Sequence, residues 1–128
     1  MILDSSALVA IVLREPGYES LLARVVSAPR VAIGAATLLE AGIVLSARLE
    51  TDARGLVARV LQEAEIAVLP MTEAHFGVAM EAWLRFGKGR HPAALNFGDC
   101  LSYATAVVAE QPLLAVGDDF PRTNCPLA

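Results

Sequence analysis

The sequence predicts an α/β fold in which a central parallel sheet of four or five strands is covered by helices on both faces. Short apolar runs alternate along the chain with longer helical segments, and this alternation is typical of parallel sheets built from strand–helix units. Of the 128 residues, 55% are hydrophobic and 19% are charged, which indicates a folded chain with a sizeable core. This length suits a single domain over residues 1–128.

The first half of the chain is predicted to contain two strands and four helices. Residues 1–3 form a short apolar run, and the helix after it is expected over 7–14, because Pro16 ends it. The following elements place apolar residues at helical spacing or in short buried runs. They are a helix over 18–28, a strand over 31–34, and helices over 37–48 and 52–64.

The second half is predicted to add two strands and two helices. The elements are a strand over 66–69, a helix over 72–86, a loop over 87–92, a helix over 98–110 and a strand over 113–116. Phe76, Met80 and Trp83 form an apolar stripe at helical spacing, which is typical of a core-facing surface and also suits a dimer or partner-binding groove. The Pro-rich tail over 121–128 is the candidate for a fifth strand, at the edge of the sheet.

Acidic side chains stand where the strands are expected to end. Asp4 follows the first strand, and Asp118 and Asp119 follow the last. Glu40 lies in the first turns of the helix after the second strand, and Asp99 opens the helix before the last strand. Because right-handed crossovers bring the carboxyl ends of parallel strands to one edge of a sheet, these side chains are expected to converge there.

Clustered carboxylates indicate a site for a divalent cation. They repel one another and lose solvation when they are buried, and a bound cation removes both penalties. Oxygen ligands suit Mg²⁺ or Mn²⁺ rather than zinc, which prefers cysteine and histidine. Such an ion can activate water and clamp a phosphate group for in-line attack. The predicted chemistry is therefore metal-assisted hydrolysis of a phosphodiester.

Each acidic residue taken singly also has a structural interpretation. Asp4 and Asp99 suit the first positions of helices. Thr37 and Glu40 match the spacing of a capping box, and the acidic pair after Gly117 suits a turn. Unrelated caps and turns would have no reason to meet at a common edge, so the combination favours the functional interpretation.

Four segments carry a recognisable combination of motifs. They are MILDSSAL at 1–8, ATLLEA at 36–41, NFGDC at 96–100 and LLAVGDDF at 113–120. Together they resemble the PIN-domain ribonuclease toxins of type II toxin–antitoxin systems, the VapC family. The resemblance covers essentially the whole chain in order, and it implies a PIN-like three-layer fold.

The resemblance also implies an activity and a set of partners. The activity is that of an endoribonuclease that depends on Mg²⁺ or Mn²⁺ and hydrolyses RNA. The partners are a VapB-type antitoxin that inhibits the toxin, and a second copy of the toxin in a homodimer. The family further implies a toxin–antitoxin hetero-oligomer, which contacts promoter DNA only through the antitoxin.

The family's acidic residues transfer position by position. Asp4, Glu40 and Asp99 match the first three acids, and the fourth falls on Asp118 or Asp119. Asp4 and Asp99 are expected to bind the metal, with Asp118 or its neighbour assisting. Glu40 is expected to orient or deprotonate the attacking water.

Two polar neighbours and one basic cluster complete the expected site. Ser6 matches the small hydroxyl residue beside the first acid, and Asn96 matches the polar residue before the third; both are given supporting roles. Arg85, Lys88 and Arg90 form the densest basic cluster and are expected to grip the RNA backbone. A solvated loop is the structural alternative for this cluster.

Composition and motif spacing argue against two other classes of protein. With 14 acidic and 10 basic residues, the formal net charge is −4, which argues against a general nucleic-acid coat. A phosphoacceptor receiver needs an acidic pair after its first strand, where Asp4 stands alone, and a lysine near its last strand, far from Lys88. No signal peptide or membrane segment is predicted, so a cytoplasmic protein is expected. The alternative that stays open is a catalytically inert PIN-like protein that acts only through its antitoxin complex.

Overall fold

A computed structural model describes all residues, 1–128, and contains one sheet of four parallel strands. The strands are β1 (Ile2–Leu3), β2 (Val31–Gly34), β3 (Ile66–Leu69) and β4 (Leu113–Leu114). Their order is β3-β2-β1-β4, so β1 and β2 are the two inner strands. Leu3 pairs with Ile33 on one side and with Leu114 on the other. The predicted parallel α/β sheet is confirmed.

Six α-helices cover this sheet, and a 3₁₀ turn at Phe120–Arg122 follows β4. The helices are α1 (Ser5–Val12), α2 (Tyr18–Ser27), α3 (Ala35–Leu49), α4 (Arg54–Glu63), α5 (Glu73–Phe86) and α6 (Phe97–Ala109). None of them combines the length and the apolar composition of a membrane-spanning segment.

The sheet separates two hydrophobic cores. Because side chains alternate along a strand, Leu3 points to one face and its neighbour Ile2 to the other. Leu3 joins the core formed with α1 to α4, which includes the fully buried Leu45. Ile2 joins the core formed with α5 and α6, which includes Phe86 and Tyr103. Helices on both faces give the three layers that the sequence predicts.

Two helices begin two residues earlier than predicted. α1 begins at Ser5, because the Asp4 side chain caps it by accepting a hydrogen bond from a backbone N–H in its first turn. α3 begins at Ala35, directly after the extended Gly34. Thr37 therefore lies inside α3 and does not cap it.

The end of the chain departs from the predicted strands. β4 stops at Leu114, because the backbone beyond it turns toward α1, where the Val116 N–H donates to the Ser6 hydroxyl at 3.0 Å. The tail adds a single parallel bridge between Leu113 and Leu127 rather than a fifth strand. The sheet edge next to β4 is thus covered by the tail's own backbone.

The apolar stripe on α5 faces outward. Phe76, Met80 and Trp83 are 62%, 43% and 40% exposed, so their interpretation as core residues is wrong. The buried side of α5 is formed by other side chains, including Ala82 and Phe86. α5 therefore carries apolar surface on both sides.

Candidate active site

Asp4 lies at the carboxyl end of β1 and is 4% exposed. Its backbone N–H donates to the Leu114 carbonyl at 2.9 Å, which ties it to the end of β4. Its Oδ2 accepts from the Ser6 N–H at 3.0 Å and from the Ser6 hydroxyl at 2.5 Å. Its Oδ1 accepts from the Ser102 hydroxyl at 2.5 Å. The carboxylate is therefore held from two elements at once, α1 and α6.

Glu40 reaches the same edge from the second turn of α3. Its Oε1 accepts a hydrogen bond from the Ser5 hydroxyl at 2.6 Å, which links α3 to the start of α1. The carboxylate also packs against Gly98 in the first turn of α6, where an added Cβ would lie 2.8 Å from the carboxylate carbon. Only a glycine leaves room for Glu40 and α6 to approach this closely.

Asp99 is the third residue of α6 and forms a capping box with Asn96. The Asp99 N–H donates to Asn96 Oδ1 at 2.9 Å, and the Asn96 N–H donates to Asp99 Oδ2 at 3.0 Å. The pKa of Asp99 is raised to about 6, chiefly because the carboxyl is buried, and the hydrogen bond from Asn96 acts against this rise. The negative charges of Asp4, Asp119 and Glu40 contribute to the same rise. The charges of Asp4, Asp119 and Glu40 therefore lie near enough to act on the Asp99 carboxyl.

The two candidates for the fourth acid lie in an exposed turn after β4. Gly117 begins this turn with a φ of +105°, a conformation that favours glycine. The charge of Asp119 acts on Asp99, whereas Asp118 is not among the charges that shift its pKa. The turn is held near the site by the hydrogen bond between Val116 and Ser6.

The residues at this edge fit a hydrated, hard cation. The chain's two ion pairs, Arg48–Glu15 and Arg54–Asp52, lie elsewhere, so no basic side chain neutralises the converging carboxylates. All of the donor atoms are oxygens, which suits Mg²⁺ or Mn²⁺. No group of three or more acidic, histidine or cysteine side chains is arranged so that it could hold a metal ion. Mg²⁺ usually keeps several waters and takes one or two carboxylates, so a site at this edge would draw only one or two ligands from the chain.

The predicted basic cluster is exposed and lies beside two aromatic rings. The Arg85 guanidinium is 4.8 Å from the centre of the Phe86 ring, and that of Arg90 is 4.9 Å from the centre of the Trp83 ring. These contacts orient two of the three cations. The Lys88 side chain is exposed to solvent.

The loop that carries Lys88 and Arg90 closes back onto the start of α6. Gly87 forms a parallel bridge with Leu95, and the Lys88 N–H donates to the Leu95 carbonyl at 2.9 Å. Leu95 directly precedes Asn96, so the backbone of Lys88 lies next to the residues that hold Asp99. A further cation joins this region, because Arg122 donates to the Pro92 carbonyl at 3.3 Å.

Three residues at this edge were missed in the sequence. Ser5 donates to Glu40, Gly98 contacts Glu40, and Ser102 donates to Asp4. Ser102 follows Asp99 by one helical turn, and this spacing was the available signal because residues three apart share a helix face. For Ser5, the sequence offered no signal beyond its place beside Asp4.

The structural and functional interpretations of the acids overlap. Asp4 does cap α1, and Asp99 does form a first-turn capping box with Asn96. The capping box expected between Thr37 and Glu40 is absent. The Thr37 hydroxyl lies 3.4 Å from that of Ser102, and Glu40 turns toward α1.

Comparisons with known proteins point to one family. The family model for the PIN domain matches residues 1–124. Ribonuclease VapC36 of Mycobacterium tuberculosis is 46% identical over 125 residues, which cover 97% of this chain and 90% of that protein. Ribonuclease VapC28 of the same species is 40% identical over 125 residues, which cover 97% of this chain and 94% of that protein.

Solved structures share the fold at lower sequence identity. VapC20 of M. tuberculosis, a toxin that cleaves the sarcin–ricin loop, superposes with a TM-score of 0.78 at 20% identity, over 99% of this chain and 97% of that one. VapBC2 from Rickettsia felis, bound to a fragment of promoter DNA, superposes with a TM-score of 0.75 at 15% identity, over 98% of this chain and 94% of that one.

Proposed function

Because this chain belongs to the PIN domain family and is closely related to VapC ribonucleases, we propose that it is the toxin of a type II toxin–antitoxin system. Its activity is the hydrolysis of phosphodiester bonds in RNA, with the help of Mg²⁺ or Mn²⁺. One observation carries this proposal. Residues next to Asp99 on α6 contact both other acids, since Ser102 donates to Asp4 and Gly98 packs against Glu40, and no basic side chain pairs with these carboxylates.

Asp4 and Asp99 are the proposed ligands of the cation, assisted by Asp119 or Asp118. The rigid hydrogen bonds to Asp4 and the capping box around Asp99 support this role, because both carboxylates are oriented before any ligand binds. A bound cation would lower the pKa of a coordinated water and offset charge on the scissile phosphate.

Glu40 is the proposed general base. The Ser5 hydroxyl donates to one carboxylate oxygen, Oε1, at 2.6 Å, and the other, Oε2, lies against Gly98, accepts no side-chain hydrogen bond and is proposed to orient a water or accept its proton. Glu40 is half-buried, between α1 and α6. At this position the Glu40 carboxylate lies beside the other acids and forms no ion pair with a basic side chain.

Arg85, Lys88 and Arg90 are proposed to contact the RNA backbone. Arg85 lies in the last turn of α5, and the loop after it, which carries Lys88 and Arg90, returns to the residue before Asn96, so an RNA strand held there would pass the acidic site. Positive charge at this place also offsets the repulsion between the substrate phosphates and the carboxylates.

The groove between α3 and α4 is the proposed antitoxin site. It has a volume of about 640 Å³ and is lined by apolar residues that include Leu39, Ile43 and Leu61. Leu39 and Ile43 are 64% and 61% exposed, as expected of a groove that accepts the apolar face of a helix. Leu39 precedes Glu40, so an antitoxin segment seated there would lie beside the active site. We expect Ile43→Asp to abolish antitoxin binding, measured by co-purification, and to leave RNA cleavage intact.

The outward stripe on α5 is the proposed homodimer surface. With Met71 and Phe97 it lines a hollow of about 290 Å³ whose wall is entirely apolar. Phe97 is 80% exposed and begins α6, two residues before Asp99. A second copy packed here would bring two acidic sites together. Met80→Asp is expected to yield a monomer in light scattering, whereas a dimer in this variant would contradict the assignment.

The proposed reaction is tested with purified protein and total RNA, with Mg²⁺ and with chelator. Discrete fragments are expected with Mg²⁺, and none with chelator or in Asp99→Asn. Glu19→Gln is the control, because it removes an exposed carboxylate on α2, outside this region. A protein that binds its antitoxin but leaves RNA intact would instead support the inert alternative.

A further inference from the structure

The Asp4 carboxylate has an unusual set of donors. Two of its three hydrogen bonds come from Ser6, which is a neighbour in sequence, and they fall on Oδ2. The third comes from Ser102, 98 positions away in α6, and falls on Oδ1. Ser102 is 1% exposed, so water cannot take over its role.

The hydroxyl of Ser102 does not follow the usual pattern of a helix interior. Serine and threonine inside helices commonly donate to the carbonyl four residues earlier, and Thr105 does so, to Leu101 at 2.9 Å. Ser102 donates out of its helix to Asp4 instead. Its orientation therefore depends on a partner in another element.

Ser102 also contacts Thr37 of α3, which is likewise 1% exposed. The hydroxyls of Thr37 and Ser102 lie 3.4 Å apart. A hydroxyl has one proton, and Ser102 gives its proton to Asp4, so Thr37 is the donor in this contact. A buried chain of two hydroxyls thus runs from α3 through α6 to the carboxylate that ends β1.

Counting acceptor positions shows which oxygen stays available. A carboxylate has about four lone-pair directions, two on each oxygen. Oδ2 already accepts from the Ser6 N–H and hydroxyl, whereas Oδ1 accepts from Ser102 alone. One direction on Oδ1 remains, on the oxygen that Ser102 holds.

We propose that Ser102 is a positioning residue that aims Oδ1 of Asp4 at the bound cation, with Thr37 holding Ser102 in turn. The inference rests on the proposed function, because that function supplies the cation. It predicts that Asp4 binds the ion through one oxygen. Residues that orient metal ligands commonly change metal affinity 10- to 100-fold when they are removed.

The test measures Mn²⁺ binding to the metal-free protein by calorimetry, without RNA. Ser102→Ala removes the donor to Oδ1, and the affinity for Mn²⁺ is expected to fall about tenfold or more. Ser102→Thr keeps a hydroxyl and is expected to restore most of the affinity. Thr37→Val removes the donor to Ser102 and provides a second variant, with a smaller expected loss.

Thr105→Val is the matched control, because it removes another buried hydroxyl from α6 that does not reach a carboxylate. Urea unfolding of each variant separates loss of stability from loss of affinity. If Ser102→Ala or Thr37→Val folds and binds Mn²⁺ as tightly as the wild type, the positioning role is wrong and the proposed function stands. If the wild-type protein itself binds no Mn²⁺, both proposals fail.

Discussion

At the scale of single residues, Gly98 is where α6 meets the Glu40 carboxylate. In Gly98→Ala the new Cβ would lie 2.8 Å from the carboxylate carbon, so the flexible Glu40 side chain must move. A shift of about 1 Å in a catalytic group can slow a reaction about 100-fold. The rate of RNA cleavage by Gly98→Ala should therefore fall about 10- to 100-fold. Stability should be kept or slightly raised, since alanine favours helices over glycine. Cleavage rates and urea midpoints measure the two effects.

Gly55→Ala is the matched control for Gly98→Ala. Gly55 lies in α4, and a Cβ added there would contact nothing within 4 Å. It should show the gain in stability without the loss of cleavage. Equal cleavage by the two variants would show that the contact between Gly98 and Glu40 has no role in the reaction.

Asp99 makes the stability of the metal-free protein depend on pH, and its raised pKa gives the sign of this dependence. Its pKa is raised from 3.8 to about 6 in the folded protein, so folding favours the neutral carboxyl. Stability from this group is full below pH 3.8 and is lost as the pH rises through about 6. Asp99→Asn stays neutral throughout, so its stability relative to the wild type should increase over this window. Urea unfolding in chelator across the window measures the difference, and a constant difference would contradict the raised pKa.

The sequence was informative about some residues and silent about others. Asp4 and Asp99 could be placed because each adjoins the boundary of a strand or helix, and boundaries follow from local pattern. Ser102 could not be paired with Asp4, because their contact spans 98 positions and depends on how α6 crosses the sheet. The choice between Asp118 and Asp119 depends on an exposed turn whose path no local pattern specifies.

At the scale of elements, β2 and β3 were easier to predict than the ends of the helices. β2 and β3 match the predicted 31–34 and 66–69 because both are apolar runs bounded by turn or cap residues. Helix starts depend on backbone angles: Gly34 is extended, so α3 begins right after it and Thr37 falls inside. The outward stripe on α5 was misjudged because helical periodicity identifies an apolar face but not what covers it.

The end of α6 offers a test at this scale. Glu110 ends the helix with a φ of +52°, in the left-handed region that favours glycine, and it places a negative charge at the helix C-terminus. Glu110→Gly should therefore raise the free energy of unfolding by about 0.5–1 kcal/mol. Urea unfolding measures the change.

The same substitution within a helix should have the opposite effect. Glu63 lies in the last turn of α4, inside the helix. Glu63→Gly is expected to lower the free energy of unfolding by up to about 1 kcal/mol. A loss of stability in both variants would mean that the left-handed conformation of Glu110 is not strained.

At the scale of the whole molecule, the topology decides where the chemistry lies. The strand order places β1 between β2 and β4, so Asp4 lies at an inner position of the carboxyl edge. α3 and α6 then deliver Glu40 and Asp99 from opposite faces of the sheet. This convergence was predictable from parallel-strand topology, whereas the close contacts that orient the carboxylates depended on side-chain packing.

Because the formal net charge of the chain is −4, the proposed contact with RNA depends on positive charge concentrated near the site. Substitution of Arg85, Lys88 and Arg90 together by Gln should weaken binding of a single-stranded RNA, measured by anisotropy in chelator. If all three contact phosphates, the slope of log affinity against log salt should decrease in magnitude by about 2. Arg30→Gln, before the amino end of β2, is the control. An unchanged salt slope in the triple variant would mean that these cations do not contact phosphates.

The central claim is that carboxylates from distant parts of the sequence form one site for a hard cation. The most direct measurement is a calorimetric titration of the metal-free protein with Mn²⁺, for the wild type and for Asp4→Asn. Asn is also a good helix N-cap, so the variant should keep its fold, as checked by circular dichroism. Saturable binding in the wild type, lost in a folded Asp4→Asn, is the predicted result. Absence of binding in the wild type, or equal binding in the folded variant, would contradict the claim.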